Sequence, residues 1–422
     1  MFINKSTLKA LVALKNVDIT LKPHQKEALE WMVNIERKLA PFGGIIADEM
    51  GLGKTLEMIS LILGRPKART LIIVPANLIP QWKSEFKKFA PEICVTDTLQ
   101  ISKDTNVVIS SYVKASRNTA FFEYSWDRII LDEAHCIRNP KGAINKALMK
   151  LKGKHKWCLT GTPIHNYISD LKSLIKFIGI TFIDDIQYIS KHFILRRTKT
   201  QVDIQLPKIC EENTHITITS KERNIYNQVN DNSYRDVEIH HLEKLLRLRQ
   251  FAIMPQLSIS GMNKKKKKLV IWSHANSKMN KVIESVKSSR TTDKPIIFAH
   301  FRKEIQYLNE KLTKEGIKAR IIDGSVPIPM RKTIIDDHEN YHVLIIQLQA
   351  GSTGLNLQMF DTVYFTSPHW NPTHEQQAIA RVHRIGQTKP VKVKRFVIKD
   401  TIESHILKIQ EHKTKMVNGL FA

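Results

Sequence analysis

Gly43-Gly44-Ile45-Ile46-Ala47 is followed directly by Asp48-Glu49-Met50-Gly51-Leu52-Gly53-Lys54-Thr55, and this stretch decides the fold. Its apolar residues predict a buried strand, and the residues from Lys54 onward predict a helix. A loop between a strand and a helix places backbone N–H groups at the helix amino terminus, where phosphate binds favourably. The stretch therefore predicts a phosphate-binding loop in an α/β domain.

Every residue of this predicted loop is a candidate for nucleotide binding: Asp48, Glu49, Met50, Gly51, Leu52, Gly53, Lys54 and Thr55. The Lys54 ammonium can reach the β- and γ-phosphates of ATP, and the Thr55 hydroxyl can ligate Mg²⁺. The usual pattern has glycine where Asp48 stands. Considered alone, the stretch could equally be a glycine-rich turn that carries a surface lysine.

A pair of carboxylates follows a second apolar run, Ile129-Ile130-Leu131, and opens a box of four residues: Asp132, Glu133, Ala134 and His135. A strand that ends here delivers both carboxylates to the carboxyl edge of the sheet, beside the phosphate loop. We expect Asp132 to hold Mg²⁺ through water and Glu133 to orient or deprotonate the attacking water. Taken alone, an acidic pair at a strand end could be a surface feature.

Two further motifs supply polar groups suited to the same site. Thr160 and Thr162, in Leu159-Thr160-Gly161-Thr162-Pro163, are small donors that could sense the neighbouring carboxylates. Gln25 precedes an amphipathic helix, and its amide offers the donor and the acceptor needed to read an adenine edge. A plain turn and a surface glutamine are the alternatives.

The second half of the chain carries paired arginines in Gln376-Gln377-Ala378-Ile379-Ala380-Arg381-Val382-His383-Arg384-Ile385-Gly386-Gln387. This pattern predicts a helix through Arg384, on which Arg381 and Arg384 share one face. Two guanidiniums directed at a γ-phosphate would act as arginine fingers, and closure of a cleft would be needed for hydrolysis. A solvated basic helix is the alternative.

Two blocks of short Ile- and Val-rich runs alternate with helix-length segments. Such alternation is typical of parallel sheets that are covered on both faces. We therefore expect an α/β fold with one lobe over residues 1–200, a helical insert and linker over 201–269, a second lobe over 270–415, and a tail over 416–422. The predicted strands cover residues 43–47, 70–74, 106–110, 128–131, 156–160, 294–300, 319–323, 342–347, 362–366 and 391–397.

Composition points to a polyanionic partner. The 422 residues include 66 Lys plus Arg against 40 Asp plus Glu, a net charge of +26, although a general lysine bias would give the same excess. The lysine run at residues 264–268 is expected to be a solvated loop. The four cysteines form no C-x-x-C pair, and no signal peptide or membrane-length apolar run is seen, so an intracellular protein with reduced thiols is predicted.

Together these motifs resemble the Swi/Snf-type ATPases of helicase superfamily two. The resemblance covers residues 20–410 and is carried by residues 47–55, 74–82, 131–135, 159–166, 195–198, 350–357, 370–372 and 376–387. It implies two RecA-like lobes with a helical insert, a DEAH-type box, and Asp48 as a regular member of the phosphate loop. Gly354 and Gln377 would take part in coupling, whereas Gln347, Ser352 and Thr353 depart from the usual pattern.

The same resemblance implies an ATPase that is stimulated by double-stranded DNA and translocates along it, acting on nucleosomes or other DNA-bound proteins. A minimal form of this kind resembles those of large DNA viruses, which implies work in the nucleus or at a viral replication site. Two alternatives stay open at this point. One is a strand-separating helicase that acts on DNA or RNA, and the other is a DNA-binding scaffold that does not hydrolyse ATP.

Overall fold

The computed structural model describes residues 4–37, 43–99, 105–161, 168–181, 185–202, 206–231, 240–263, 271–289, 293–351, 355–384 and 386–420. The chain divides into two compact units: a first unit of residues 1–205 with 416–422, and a second unit of residues 206–415. Thr162, Ser352, Thr353, Gly354 and the lysine run at 264–268 lie outside the described residues. The predicted limits of the lobes and of the insert stay predictions.

The first unit is built on a parallel sheet, and its described strands lie in the order β3-β4-β2-β5-β6-β1-β7. The strands are β1 (Gly44–Ile46), β2 (Thr70–Val74), β3 (Val95–Thr96), β4 (Val107–Ser111), β5 (Ser125–Asp132), β6 (Lys152–Leu159) and β7 (Ile194–Leu195). The helices are α1 (Lys5–Lys15), α2 (Pro23–Glu36), α3 (Lys54–Gly64), α4 (Ile79–Phe89), α5 (Tyr112–Arg117), α6 (Ala120–Glu123), α7 (Ala143–Leu148), α8 (Ile168–Phe177) and α9 (Ile186–Phe193).

Both faces of this sheet are buried, and β2 shows why the sequence is apolar throughout. Ile72 and Val74 pack into one hydrophobic core, whereas Leu71 and Ile73 pack into a second core on the opposite face. Successive side chains of a strand point to opposite faces. A strand buried on both faces therefore needs an unbroken apolar run, which is the signal that predicted these strands.

The second unit is also built on a parallel sheet, with its described strands in the order β10-β11-β9-β12-β13-β8. The strands are β8 (Ile209–Ile216), β9 (Pro295–Ala299), β10 (Ala319–Ile322), β11 (Val343–Gln347), β12 (Thr362–Phe365) and β13 (Val391–Ile398). The helices are α10 (Ser220–Asn230), α11 (His241–Ile253), α12 (Pro255–Asn263), α13 (Ser277–Lys287), α14 (Arg302–Lys314), α15 (Ile328–Asp336), α16 (Leu348–Gly351), α17 (Pro372–Val382) and α18 (Ile402–Leu420).

The predicted fold class is confirmed, because each predicted strand overlaps an observed one and the strand pairs among the described residues are parallel. Strands β3, β7 and β8 were not predicted. The first two contain only two residues each, and β8 is an edge strand whose residues are mostly exposed and polar, so it lacks the apolar signal. The four cysteines are free. Within the described ranges, no helix combines the length and apolar character that a membrane span requires.

Candidate functional site

The predicted phosphate loop lies between β1 and α3, as the sequence indicates. Gly51 and Gly53 have φ values of +93° and +94°, which glycine adopts without a steric penalty. A Cβ atom at Gly53 would also lie 2.3 Å from Nε2 of Gln25. Glycine is therefore required at position 53 both for the backbone turn and for the close approach of α2.

Two side chains of the predicted site hold the loop backbone. Nζ of Lys54 donates to the carbonyl oxygens of Asp48 and Glu49, at 2.6 and 3.4 Å. Gln25 is buried; its Oε1 accepts the N–H of Lys22 at 3.0 Å, and its Nε2 donates to the carbonyl oxygen of Leu52 at 3.2 Å. The Gln25 amide thus joins α2 to the loop, and its expected role in reading adenine stays a prediction.

Asp48, at the position where the usual pattern has glycine, is fully buried in a cluster of charged groups. Its carboxylate accepts the backbone N–H of Arg197 at 2.9 Å and also accepts from Nε and Nη2 of the Arg197 guanidinium. Glu57 of α3 is also fully buried and accepts from the Arg197 guanidinium at 3.0 Å. Burial, together with the nearby Asp48 carboxylate, raises the pKa of Glu57 to about 8. Asp48 therefore anchors the loop through Arg197.

The segment after β7 runs alongside the phosphate loop and extends the pairing of β1 with β7. The N–H of Ala47 donates to Leu195 O at 2.7 Å, and the N–H of Glu49 donates to Arg197 O at 2.8 Å. The N–H of Lys199 then donates to Oε2 of Glu49 at 2.9 Å. The sequence predicted no role for Arg197, because its partner Asp48 is 149 residues away along the chain.

Asp132 is the last residue of β5, where its backbone pairs with Leu159 of β6. Its Oδ2 accepts from the indole Nε1 of Trp82 at 2.8 Å, and its Oδ1 accepts the N–H of Glu133 at 3.0 Å. Burial and the adjacent Glu133 carboxylate raise the pKa of Asp132 to about 6. Trp82, which the sequence singled out only within a motif, therefore sets the orientation of this carboxylate.

Glu133 has φ +53°, a left-handed value that few residues other than glycine adopt. It stands just before a short 3₁₀ helix, Ala134–Ile137, and its Oε2 lies 3.2 Å from Nδ1 of His135. The Tyr112 hydroxyl donates to the carbonyl oxygen of Asp132 at 2.8 Å and so fixes the preceding peptide. A residue other than glycine keeps such a backbone conformation where the surrounding structure holds it.

Thr160 and Gly161 bring the third motif to the same place. Thr160 is buried, and its N–H donates to the carbonyl oxygen of Ile46 at 3.0 Å. A Cβ atom at Gly161 would lie 2.8 Å from Cε of Met50 in the phosphate loop. The loop, the acidic box and Thr160 therefore lie together at the carboxyl ends of three adjacent strands, β1, β5 and β6.

In the second unit, the predicted helix through Arg384 is wrong. Helix α17 ends at Val382, and His383 leaves the helical conformation with φ −91° and ψ 79°. Arg384 follows the helix, so it does not share a helical face with Arg381. Gly386 lies beyond the end of the helix and has φ +101°, a left-handed value that favours glycine.

The backbone around Arg384 is held by its neighbours. Nε2 of Gln387 donates to the carbonyl oxygens of Gln358 and Phe360, both at 2.9 Å. The ring Nε2 of His383 lies 2.8 Å from the carbonyl oxygen of Pro207. Gln377, a predicted coupling residue, is buried within α17. The side chains of His383 and Gln387 therefore contact backbone carbonyls and hold the chain near Arg384 in place.

A buried contact between α11 and the loop before α17 was not predicted. Nη2 of Arg249 lies 3.0 Å from Nδ1 of His300, and Nε2 of His300 lies 2.9 Å from the carbonyl oxygen of Ser367. Because that carbonyl only accepts, the imidazole proton is on Nε2, and Nδ1 accepts from the guanidinium. Burial and the Arg249 charge hold the pKa of His300 well below its usual value. Arg249 also donates to Pro368 O at 3.3 Å.

The chain carries a glycine-rich loop and an acidic box on one parallel-sheet unit and an arginine segment on another, which are the parts of a helicase-like ATPase. Residues 24–188 match the SNF2-related domain family, and residues 275–386 match the helicase conserved C-terminal domain family. The chain therefore carries the two domains of this class.

Known proteins cover nearly the whole chain. It is 30% identical to an uncharacterized ATP-dependent helicase of Mycoplasma pneumoniae, over 96% of this chain but 43% of that protein. It is 28% identical to a probable global transactivator of Orgyia pseudotsugata multicapsid polyhedrosis virus, over 95% of this chain and 91% of that protein. A solved Sulfolobus solfataricus SWI2/SNF2 ATPase core in complex with dsDNA shares 27% identity, over 95% of this chain and 92% of that chain, with a TM-score of 0.46.

Proposed function

We propose that this chain is an ATP-dependent double-stranded DNA translocase or remodeller that couples ATP hydrolysis to movement along DNA. The observation that carries the proposal is that Lys54 follows β1 and that Asp132 and Glu133 lie at the end of β5, at the carboxyl edge of the sheet in an SNF2-related domain. Strands β1 and β5 lie on either side of β6. Ligands of open α/β sheets bind at this edge. The net charge of +26 supports a nucleic-acid partner.

Within this proposal, each residue of the first unit has a separate task. Lys54 binds the β- and γ-phosphates, and Glu133 accepts a proton from the attacking water or orients that water. Thr55 and Asp132 would hold Mg²⁺, which neutralises phosphate charge when it is bound. They fit it because both offer the hard oxygen ligands that Mg²⁺ prefers.

The second unit supplies the arginines of the proposed reaction. Arg381 and Arg384 neutralise the charge that develops on the transferred phosphoryl group, which a guanidinium does better than an ammonium. Thr160, Thr162, Gly354 and Gln377 are the proposed coupling residues. Hydrolysis then requires groups from both units, and a change of grip on DNA in each cycle would produce movement.

The proposed partners are duplex DNA and proteins bound to it, nucleosomes included, and the proposed location is a nucleus or a viral replication site. The viral relative, a probable global transactivator, supports work at viral DNA. The wider class to which the two domains belong supports duplex DNA rather than RNA. Because the chain spans 43% of the bacterial helicase, the activity of the whole protein is part of the proposal.

The test is the rate of ATP hydrolysis without nucleic acid and with duplex DNA, single-stranded DNA or RNA. Duplex DNA should stimulate hydrolysis most, and the stimulation should weaken as salt rises, because phosphate contacts release counterions. A larger stimulation by RNA would replace the translocase with an RNA helicase. Strand separation of a labelled duplex, measured alongside, would favour the helicase alternative. An absence of hydrolysis under all conditions would leave the scaffold alternative.

A further inference from the structure

The first turn of α15 projects from the second unit with apolar side chains exposed. Ile328 is 48% exposed and Met330 is 55% exposed. Ile328 lies three residues before Arg331 and seven before Ile335, both of which are buried. Residues at these spacings share one helix face, so Ile328 would be buried too if the whole helix packed on the unit. Its exposure means that the described part of the second unit leaves this face of the first turn uncovered.

This projecting turn, residues 327–330, is held rigidly from behind. Nε of Arg331 donates to the carbonyl oxygen of Val326 at 2.9 Å, and the N–H of Ser325 donates to Oδ1 of Asp323 at 2.9 Å. Oε1 of Gln347, a departure from the usual pattern, accepts the N–H of Gly324 at 3.2 Å. Prolines at positions 327 and 329 fix two further φ angles. A rigid tip loses little conformational entropy on binding.

Basic side chains accompany the tip at the carboxyl edge of the second sheet. Arg302, which begins α14 after β9, is 61% exposed, and its Nε lies 3.0 Å from Oδ2 of Asp323. Lys303 follows it and is exposed, and Lys332 is exposed on α15 itself. Cations beside an apolar tip suit a duplex, because a groove is bordered by two phosphate backbones that the cations can contact.

The size of the tip favours DNA over a protein partner. A stable protein interface buries about 1,200–2,000 Å² in total, which two apolar side chains cannot supply. The minor groove of DNA is about 6 Å wide, which is too narrow for a whole helix of about 10–12 Å diameter but admits the side chains at a helix end. Proteins that bind there insert Ile, Met or Pro between base steps and kink the duplex.

We propose that residues 327–330 form a minor-groove wedge: Ile328 and Met330 enter a base step of bound duplex DNA, while Lys303 and Lys332 contact the flanking phosphates. The inference rests on the proposed function, because it needs a duplex on the second unit. If the inference holds, residues 327–330 distort the bound DNA, and this distortion accompanies the proposed movement of the protein along DNA.

The experiment uses the full chain and a duplex that carries 2-aminopurine, whose fluorescence rises when it unstacks. Binding of the unsubstituted protein should raise the fluorescence. Ile328→Ser with Met330→Ser should remove most of this rise and weaken binding about tenfold, since the wedge then has no apolar side chains to place in the base step. The slope of log K against log salt should stay unchanged, because the residues that bind phosphate are intact. The matched control is Leu242→Ser with Leu246→Ser, an exposed apolar pair on α11 of the same unit, which should behave as unsubstituted protein.

A second variant distinguishes the contacts to phosphate from the insertion of the apolar side chains. Lys303→Gln with Lys332→Gln should lower the salt slope by about 0.9 for each lysine that binds a phosphate, yet keep the fluorescence rise at saturating protein. The wedge is overturned if the Ile328/Met330 variant unstacks the duplex as well as the unsubstituted protein does, or if the α11 control loses the rise equally. If the unsubstituted protein shows neither duplex binding nor stimulation by duplex DNA, the proposed function fails, and the wedge fails with it.

Discussion

The phosphate loop of the first unit and the arginine segment of the second unit are held in different ways. Around the loop, buried side chains bind one another: Asp48 and Glu57 both accept hydrogen bonds from the Arg197 guanidinium. Around Arg384, the side chain of Gln387 holds the backbone by hydrogen bonds to carbonyl oxygens. The Arg384 guanidinium has no ion-pair or hydrogen-bond partner among the described residues. The first region is complete within its own unit. The second is held by hydrogen bonds from the Gln387 side chain to backbone carbonyls.

Because of this difference, substitutions in the two regions are expected to have different effects. Changes at the loop should alter nucleotide affinity or the stability of the first unit, because its groups contact phosphate or one another. Changes at the arginine segment should alter the rate of hydrolysis with little effect on ATP affinity, since we propose that this segment acts in the transition state. Each prediction below tests one side of this contrast.

The largest effect on the loop side is expected for Glu133→Gln, which should stop turnover and spare ATP binding. A glutamine keeps the shape of the side chain but cannot accept the proton, and general base catalysis contributes about 10²–10⁴ in rate. Lys54→Ala should instead weaken ATP binding, because Lys54 contacts phosphate in the ground state. Parallel measurement of nucleotide affinity and steady-state hydrolysis distinguishes the two. If the Glu133→Gln protein hydrolysed ATP at the unsubstituted rate, Glu133 would not be the residue that orients or deprotonates the attacking water.

A smaller effect is expected for Arg249→Met, because Arg249 positions the loop before α17 through His300 and Pro368. DNA-stimulated kcat should fall by about tenfold or more with KM for ATP nearly unchanged, since small displacements of catalytic groups are costly. His300→Gln should retain more activity than His300→Leu, because an amide can still accept and donate.

The control for Arg249→Met is Lys278→Met, which breaks a different buried ion pair of the same unit, with Glu403. It should lower thermal stability but leave kcat at permissive temperature. If kcat fell equally in the two variants, Arg249 would have only a general stabilising role. Equal activity of His300→Gln and His300→Leu would lead to the same conclusion.

The smallest effect concerns stability and pH at Glu57, whose pKa is raised to about 8 from 4.5. Between these values the folded state holds a proton that the unfolded chain releases, so the free energy of unfolding falls as pH rises. The decline is at most about 1.4 kcal/mol per pH unit. Glu57→Gln cannot ionise and should show a smaller loss of Tm between about pH 6 and pH 8. An identical pH dependence for both proteins would contradict the raised pKa.

The sequence predicted the fold class and the site elements that depend on local pattern. Apolar runs marked β1 and β5, and glycines marked the loop between β1 and α3, because burial and backbone geometry act on neighbouring residues. It missed Arg197 and Arg249, whose partners come from distant parts of the chain. The end of α17 at Val382 was not predicted, because a glycine stop signal at Gly386 is equally compatible with a helix that continues through Arg384.

The central claim is that hydrolysis needs the arginines of the second unit as well as the loop of the first. The most direct measurement is DNA-stimulated ATP hydrolysis by the Arg384→Ala protein, with ATP affinity determined on the same sample. The rate should fall by about 10³–10⁵ with ATP affinity largely intact, and Arg384→Lys should restore little of it. Hydrolysis by Arg384→Ala within about twofold of the unsubstituted rate would contradict the account.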